Sequence, residues 1–367
     1  MMSINVGLVG CGNISGIYLE NSSHYSQFTI TACADLDYTK AEAAAARYGI
    51  PHVMSVEELI KSPDIDIILN LTVPQAHAEI SIQAMENNKH VYSEKPLAIS
   101  YEDGKRIIKK AKEKNVLVGV APDTFLGESV QLAGKLIKDG AIGRVVGATA
   151  FMMSSGPESW HPNPEFFYRV GGGPMFDMGP YYLTALVSLL GPVTRIMGST
   201  RITHSERTIT SPKRYGEKIV VQVPTHVTGI LDFENEATTT ITTSFDVSGS
   251  RTPYIEIYGE KGTISLPDPN HFHRPLLLKL RGEEDWKEMK RETTLPDNAR
   301  GVGLADMAEA IESGTTPRAS GEMAFHVLEI MHGIHDSSKR GKRYYMQSTF
   351  TKPELLVEKE GETVWGK

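Results

Sequence analysis

A glycine-rich turn near the start of the chain restricts the fold more than any other sequence feature. The segment Gly10–Ser15 follows the apolar run Ile4–Val9 and precedes a segment that can form a helix. Gly10 permits a tight turn, Gly12 lets the backbone approach a pyrophosphate, and the small Ser15 allows close packing of helix on strand. The N–H groups at the helix start then face that anion. The pattern predicts a dinucleotide-binding Rossmann domain whose loop contacts come from Gly10, Gly12, Asn13 and Ile14.

A carboxylate at the end of the second apolar run indicates which dinucleotide is bound. Asp35 follows Phe28–Ala34 and lies 20 residues after Ser15. At this position a carboxylate accepts hydrogen bonds from the adenosine ribose and repels the 2′-phosphate of NADP. The next residues, Leu36 and Asp37, supply no arginine for a phosphate. We therefore predict NAD as the cofactor, the alternative being that Asp35 is only a turn residue.

The order of strand-like and helix-like segments predicts two domains. Strands alternate with helices over the first 120 residues, as in an α/β Rossmann domain with a parallel sheet. Later Thr-rich runs with short connections, such as Thr238–Phe245, predict an α+β domain with an open, mainly antiparallel sheet. The expected boundaries are 1–124 for the NAD-binding domain, 125–340 for a substrate-binding and oligomerisation domain, and 341–367 for a C-terminal tail. We expect Arg201–Glu217 to be an exposed loop, and the charged end after Pro353 to be mobile or a contact arm.

Composition excludes several classes of partner. The formal net charge of −7 argues against nucleic-acid binding, which needs a basic surface. The two cysteines, Cys11 and Cys33, are too few for a disulfide framework. No apolar run is long enough for a membrane span, and the early strand leaves no room for a signal peptide. A cytoplasmic protein with no membrane partner is the expectation.

Three further loops follow predicted strands, and ligands bind outside the carboxyl ends of strands in such a sheet. They are Thr72–His77, Glu94–Pro96 and Ala121–Thr124. The cofactor-binding candidates from these loops are Thr72, Pro74, His77, Glu94 and Lys95, and the substrate-binding candidate is Asp123. The alternatives are a solvent-facing histidine at a helix start for His77 and an idle surface lysine for Lys95.

A polar and aromatic loop supplies further candidates for the substrate. Trp160-His161-Pro162-Asn163-Pro164 precedes three consecutive glycines. The Trp160 ring can pack on sugar C–H groups, while His161 and Asn163 can bind hydroxyls; the alternative is a proline-rich connector. No Cys/His cluster has the spacing of a metal site, so no metal is expected.

Together these residues resemble the glucose–fructose oxidoreductase, inositol dehydrogenase and rhizopine-catabolism (Gfo/Idh/MocA) family. The motifs that carry the resemblance are Gly10–Ser15, Thr72–His77, Glu94–Pro96 and Gly171-Gly172-Gly173 followed by Asp177 and Gly179. The resemblance implies hydride transfer between a nicotinamide and a sugar, polyol or related carbonyl. It also implies Lys95 as the catalytic lysine and Asp177 as an acid of the catalytic site. A homo-oligomer, dimer or tetramer, formed through the C-terminal sheet is implied as well.

The chain departs from the family pattern at Tyr181, where a histidine is usual. Asp177 and Tyr181 are four residues apart, so a helix would place them on one face. Pro180 fits only the first turn of that helix, so Asp177 should lie at or just before its start. A phenol can act as a base when a neighbouring ammonium favours its ionised form. We expect Tyr181 to carry the proton with Lys95 beside it; the alternatives are His161 or Lys95 as the base, or a purely structural Tyr181.

Three functions are compatible with this pattern. The leading one is an NAD-dependent dehydrogenase or reductase of a carbohydrate secondary alcohol or ketone. The second is an NAD-dependent glycosidase of the same family, which oxidises its substrate transiently and forms no net NADH. The third is a dinucleotide-binding protein without turnover, against which the presence of both Lys95 and Asp177 argues.

Overall fold

The computed structural model describes residues 4–290 and 295–356. Its strands are β1 (Ile4–Val9), β2 (Phe28–Ala34), β3 (His52–Val53), β4 (Ile67–Asn70), β5 (His90–Ser93), β6 (Val118–Val120), β7 (Val145–Met153), β8 (Val193–Arg201), β9 (Glu206–Thr208), β10 (Lys218–Val220), β11 (His226–Phe233), β12 (Thr238–Ser244), β13 (Ile255–Gly259), β14 (Gly262–Leu266), β15 (Leu276–Leu280), β16 (Lys287–Met289) and β17 (Tyr344–Tyr345). Its α-helices are α1 (Ser15–Asn21), α2 (Tyr38–Tyr48), α3 (Val56–Lys61), α4 (Pro74–Glu86), α5 (Tyr101–Lys114), α6 (Glu128–Lys138), α7 (Gly173–Asp177), α8 (Gly179–Leu190), α9 (Val302–Ser313) and α10 (Gly321–Arg340).

The N-terminal part contains a parallel sheet in the order β3-β2-β1-β4-β5-β6. Helices cover it; β4 is buried along its length and β1 from Val6 onward, as expected for central parallel strands. Helix boundaries follow local signals: α2 ends at Gly49 in the left-handed conformation, and the Ser100 side chain accepts a hydrogen bond from the Asp103 N–H at the start of α5. The predicted Rossmann domain is confirmed.

The C-terminal part contains a sheet in the order β16-β15-β14-β13-β7-β12-β11-β8-β17. Its strands pair antiparallel except β12 with β7, which confirms the prediction of a mainly antiparallel sheet. Helix α10 lies against β8 so closely that a Cβ added at Gly198 would be 2.0 Å from the Ile334 carbonyl oxygen. Only glycine permits this approach of helix and strand.

The polar segment 201–217 is mostly exposed, as the sequence predicted, but part of it is a strand rather than a loop. It contains β9, which pairs antiparallel with β10, and the side chain of Ile209 is fully buried. Inside this segment the guanidinium of Arg207 forms ion pairs with Glu158 and Asp246. Because its charge is paired, Arg207 can be buried beside a small second core. That core consists of Phe167, Tyr168, Ile209, Ile219, Val221 and Phe245.

The described part of the C-terminal tail is packed against the protein. The carboxylate of Glu329 on α10 accepts hydrogen bonds from the Tyr344 hydroxyl and from the N–H groups of Gln347 and Ser348. Phe350 and Leu356 are buried. The rest of the tail, 357–367, lies outside the described residues. Among the helices that are described, none combines the length and the hydropathy that crossing a membrane requires.

Candidate active site

The turn between β1 and α1 holds the Asp35 carboxylate in a fixed position. One carboxylate oxygen accepts a hydrogen bond from the Cys11 N–H at 2.7 Å, and the other accepts from the Asp37 N–H at 2.9 Å. Gly10 has a φ of +100°, and a Cβ there would be 2.7 Å from the Leu71 carbonyl carbon. The turn therefore requires glycine at position 10 on both conformational and steric grounds.

The surroundings of the turn fit a dinucleotide. A Cβ added at Gly12 would meet no atom within 4 Å, so the backbone faces open space where a pyrophosphate can approach. Asn13 is exposed and Ile14 is half-buried beside this space. Leu36, which follows the fixed carboxylate, is 99% exposed and brings no positive charge. The loop can therefore hold the dinucleotide that the sequence predicted.

The Thr72–His77 loop is tied to the neighbouring loop after β5. The His77 imidazole is buried, with Nδ1 2.8 Å from the Pro96 carbonyl oxygen and Nε2 3.0 Å from the Thr72 carbonyl oxygen. Burial lowers the pKa of His77. Both ring nitrogens thus contact the protein backbone, which corrects the prediction that His77 binds the cofactor as well as the alternative of a solvent-facing side chain. His77 joins the two loops instead, while Thr72 and Pro74, the first residue of α4, remain predicted cofactor contacts.

Lys95 lies at the carboxyl end of β5 and reaches across to the C-terminal part of the chain. Its Nζ donates to the Asp177 carbonyl oxygen at 2.7 Å and is 3.4 Å from the Asp177 carboxylate. The Lys95 N–H donates to the carboxylate of Glu94, whose other oxygen accepts from the Tyr18 hydroxyl. Burial alone would lower the pKa of Lys95, but electrostatic interactions with Tyr181, Asp177 and Glu94 outweigh it and hold that pKa above its ordinary value. Lys95 is therefore held as a partly buried ammonium between Asp177 and the Tyr181 ring.

Tyr181 lies beside this ammonium. Asp177 is the last residue of α7, and α8 begins two residues later with Pro180 in its first turn, as the sequence predicted. The Lys95 Nζ lies 5.0 Å from the centre of the Tyr181 ring. The tyrosine side chain is 8% exposed, and its hydroxyl lies 3.5 Å from a guanidinium nitrogen of Arg300. The structure thus brings together Lys95, Asp177 and Tyr181, and adds a second cation.

Sequence reasoning missed Arg300 and assigned Asp123 a different role. The Asp123 carboxylate accepts hydrogen bonds from the N–H groups of Gly301 and Gly303 at 2.9 and 3.1 Å. It is buried, which raises its pKa to about 6. The prediction that Asp123 binds substrate is corrected, because this carboxylate holds the backbone that carries Arg300. The signal that could have indicated this segment is the pair of glycines flanking Val302 at the start of α9.

The aromatic loop forms its own cluster. The rings of Trp160, His161 and Phe167 contact one another edge to face. Trp160 is 66% exposed, and the Asn163 N–H donates to the His161 Nδ1. Among the described residues, the contacts of His161 join it to this cluster and to Phe166 rather than to Lys95 or Tyr181. No group of three or more potential metal ligands is found within residues 4–290 and 295–356.

Family models match most of the chain. The model described as the oxidoreductase family with an NAD-binding Rossmann fold matches residues 4–121, and the GFO/IDH/MocA C-terminal domain matches residues 130–265. Together with the fold, these matches define a nicotinamide-dependent oxidoreductase with an NAD-binding Rossmann domain. The chain belongs to the GFO/IDH/MocA oxidoreductase family, which confirms the resemblance seen in the sequence.

Individual relatives include dehydrogenases that act on sugars. Levoglucosan dehydrogenase of Pseudarthrobacter phenanthrenivorans is 29% identical over 291 residues, which cover 72% of this chain and 73% of the relative. D-xylose 1-dehydrogenase (NADP(+)) 2 of Haloferax volcanii is 23% identical over 338 residues, or 91% of this chain and 97% of the relative. An oxidoreductase from Agrobacterium radiobacter, solved with NAD+, L-tartaric acid and magnesium, is 17% identical with a TM-score of 0.77 over 94% of this chain and 98% of its own, a likeness of fold.

Proposed function

We propose that this protein is an NAD-dependent dehydrogenase or reductase that transfers a hydride between the nicotinamide and a secondary alcohol or ketone of a sugar or polyol. The observation that carries the proposal is the contact of Lys95 with Asp177 and with the Tyr181 ring, at the carboxyl end of the sheet that holds the cofactor loop. The names of the relatives support the substrate class, since they include a levoglucosan and a D-xylose dehydrogenase.

In this proposal Tyr181 accepts the hydroxyl proton and Lys95 favours its ionised form. The nicotinamide, when bound, takes up or returns the hydride. Lys95 is held by the backbone and carboxylate of Asp177, so its charge stays beside the phenol ring. The phenol oxygen then receives the proton from a substrate hydroxyl, and in the reverse direction it returns the proton to the ketone oxygen.

We also propose NAD over NADP, because the Asp35 carboxylate is fixed where the adenosine ribose is expected. The fixed carboxylate supports this preference, since it would repel a 2′-phosphate. The name of the D-xylose relative specifies NADP(+). The cofactor preference of this chain therefore has to be measured on the chain itself.

For the substrate we propose the loop that carries Trp160, His161 and Asn163 as a contact surface. The exposed Trp160 ring offers an apolar face for sugar C–H groups, and the half-buried His161 and exposed Asn163 offer polar groups beside it. The loop begins near Glu158, which Arg207 binds, so its base is held in place.

We further propose a homo-oligomer, a dimer or a tetramer, that forms through the C-terminal sheet. Gly198 and Gly229 face Ile334 of α10, so their neighbours Met197 and Ile230 point to the opposite face. Met197 and Ile230 are paired in register and are 42% and 44% exposed. This pair of exposed apolar side chains on an open sheet supports association.

A panel of sugars and polyols tests the proposal. Each compound is incubated with the enzyme and NAD, and formation of NADH is followed by absorbance. Net NADH with at least one compound is the expected result. Release of a leaving group without net NADH would favour the glycosidase, and binding of NAD without turnover on the whole panel would favour the non-catalytic protein.

A further inference from the structure

Arg300 places a second positive charge at the hydroxyl of Tyr181. One terminal nitrogen of its guanidinium lies 3.5 Å from the Tyr181 oxygen and donates at 2.8 Å to the Asn270 side-chain oxygen. The other terminal nitrogen donates at 2.7 Å to the Asn298 side-chain oxygen. Two amide oxygens therefore fix the plane of the guanidinium. In this orientation the nitrogen that binds Asn270 also faces the Tyr181 hydroxyl oxygen.

The segment that carries Arg300 is held by the Rossmann domain. The Asn21 side chain donates to the carbonyl oxygens of Asn298 and Arg300. The Tyr25 hydroxyl donates at 2.7 Å to the carbonyl oxygen of Ala299. The Asp123 carboxylate accepts from two N–H groups just beyond Arg300, as described above. The domain that binds the cofactor thus fixes an arginine of the other domain against the phenol.

The two cations approach the phenol from different directions. The Lys95 ammonium lies 5.0 Å from the centre of the ring, where it attracts the ring electrons. Arg300 approaches the oxygen, where the charge of a phenolate is concentrated. A hydrogen bond from a guanidinium to an anionic oxygen is considerably stronger than one to a neutral hydroxyl. Arg300 therefore favours the ionised form of Tyr181 through the very atom that exchanges the proton.

We propose that Arg300 is a catalytic residue that stabilises the Tyr181 phenolate by a hydrogen bond to the phenol oxygen. The inference rests on the proposed function, in which Tyr181 carries the proton. In the oxidation direction, Arg300 holds the phenolate before it accepts the substrate proton. In the reduction direction, Arg300 stabilises the anion that remains after the proton has been given to the ketone oxygen. The charged and titratable groups around this pair are Lys95, Asp177, Glu94, Asp123 and Tyr18.

The test compares Arg300→Gln, Arg300→Lys and Tyr181→Phe in the full-length protein. The near-ultraviolet absorbance of tyrosinate is followed as the pH is raised, and the component lost in Tyr181→Phe is assigned to Tyr181. In Arg300→Gln this component should move to higher pH. The value of kcat/KM at neutral pH should fall about 10- to 100-fold, as expected for loss of a charged hydrogen bond, and should recover at alkaline pH. Arg300→Lys should restore part of the loss, and the exposed Arg281→Gln should match the unchanged protein.

The proposal is overturned if Arg300→Gln leaves both the titration and the pH profile unchanged. It is also overturned if only KM rises, since that result would make Arg300 a substrate contact. Arg300→Lys serves as the test if Arg300→Gln does not fold. Lysine keeps the positive charge, but its donor lies farther from the Tyr181 oxygen, so the titration of Tyr181 should still move to higher pH. The titration uses the protein alone, so it measures the coupling of Arg300 to Tyr181 even if Tyr181→Phe retains turnover, the result that would instead contradict the proposed function.

Discussion

The turn that fixes Asp35 comes from two neighbouring strands, whereas the groups around Tyr181 come from three distant segments. Cys11 and Asp35, which are hydrogen-bonded in the turn, are 24 residues apart. Lys95 and Asp177 are 82 residues apart, and Arg300 and Tyr181 are 119 apart. The end of the site around Asp35, the adenosine end, is therefore set by local backbone geometry. The end around Tyr181, the hydride end, is set by charges that two domains bring together. Substitutions around Asp35 should therefore change cofactor binding, whereas substitutions around Tyr181 should change turnover.

The largest expected effect is that of Lys95→Ala. Turnover should fall by ~10²–10⁴-fold, the usual contribution of a group that assists proton transfer. The dissociation constant for NAD should change little, because the Asp35 end of the site is built independently. Steady-state kinetics and NAD titration measure the two quantities, with the exposed Lys109→Ala as control. Near-normal turnover in Lys95→Ala would remove the lysine from the mechanism.

Two glycines of the same turn should behave differently. Gly10→Ala should lower the free energy of unfolding by roughly 1–3 kcal/mol or more, because its φ of +100° and a 2.7 Å contact with the Leu71 backbone exclude a side chain. Gly12→Ala should keep the stability, since its added Cβ meets no atom, but should weaken NAD binding. Urea unfolding and NAD titration of both variants separate the effects. Equal free energies of unfolding for the two variants would contradict the conclusion that only position 10 excludes a side chain.

Asp35→Ala should reduce the preference for NAD by about tenfold or more. The carboxylate loses its hydrogen bonds to the ribose and its repulsion of a 2′-phosphate. NAD should bind more weakly and NADP no more weakly, as measured by titration of both cofactors. Tighter binding of NADP than of NAD in the unchanged protein would refute the proposed preference. Turnover at saturating NAD should remain close to normal, in contrast to Lys95→Ala.

The last expected effect concerns the stability of the fold in acid rather than the site. Burial lowers the pKa of His326 to about 4 and that of His335 to about 4, so unfolding takes up protons below the ordinary value of 6.5. The contribution of these neutral histidines to the free energy of unfolding is complete above pH 6.5. It is lost as the pH falls toward 4, by on the order of 3 kcal/mol per histidine. Asp123, whose pKa burial raises to about 6, opposes the loss, because its protonation favours the folded state below pH 6. Urea unfolding at several pH values should show a net loss toward acid that is reduced in His326→Asn and unchanged in the exposed His24→Asn. An unchanged slope in His326→Asn would show that this histidine is not neutral in the folded protein.

The sequence predicted the fold well because its signals are local. Alternating strands and helices gave the parallel sheet, and Ser100 marked a helix start that the structure confirms. The two-residue β3 and the polar strand β9 were missed, because short or charged strands lack an apolar pattern. The segment 201–217 is mostly exposed, as predicted, but the burial of Arg207 in ion pairs with Glu158 and Asp246 was not indicated by its polar sequence.

The candidate site was only partly predictable for a related reason. Lys95 and Asp177 belong to motifs, and the structure brings them together. His77 and Asp123 also lie in loops at the carboxyl ends of strands, but their polar atoms contact the backbone of neighbouring loops. Residue type and position in the sequence indicate which loops form the site. The direction in which each side chain points depends on tertiary contacts, which the spacing of residues in the sequence does not show. Arg300 was missed because it is 119 residues from Tyr181 in the sequence, and no motif links the two.

The paired variants Tyr181→Phe and His161→Ala test most directly how the hydride end works. Tyr181→Phe keeps the ring beneath the Lys95 ammonium and removes only the hydroxyl near Arg300. We expect it to fold normally, to bind NAD, and to lose at least ~10²-fold in kcat. His161→Ala, whose imidazole contacts the aromatic loop, should retain turnover at saturating substrate. Wild-type kcat and pH profile in Tyr181→Phe, together with loss of turnover in His161→Ala, would show that His161 is the base and that Tyr181 is structural.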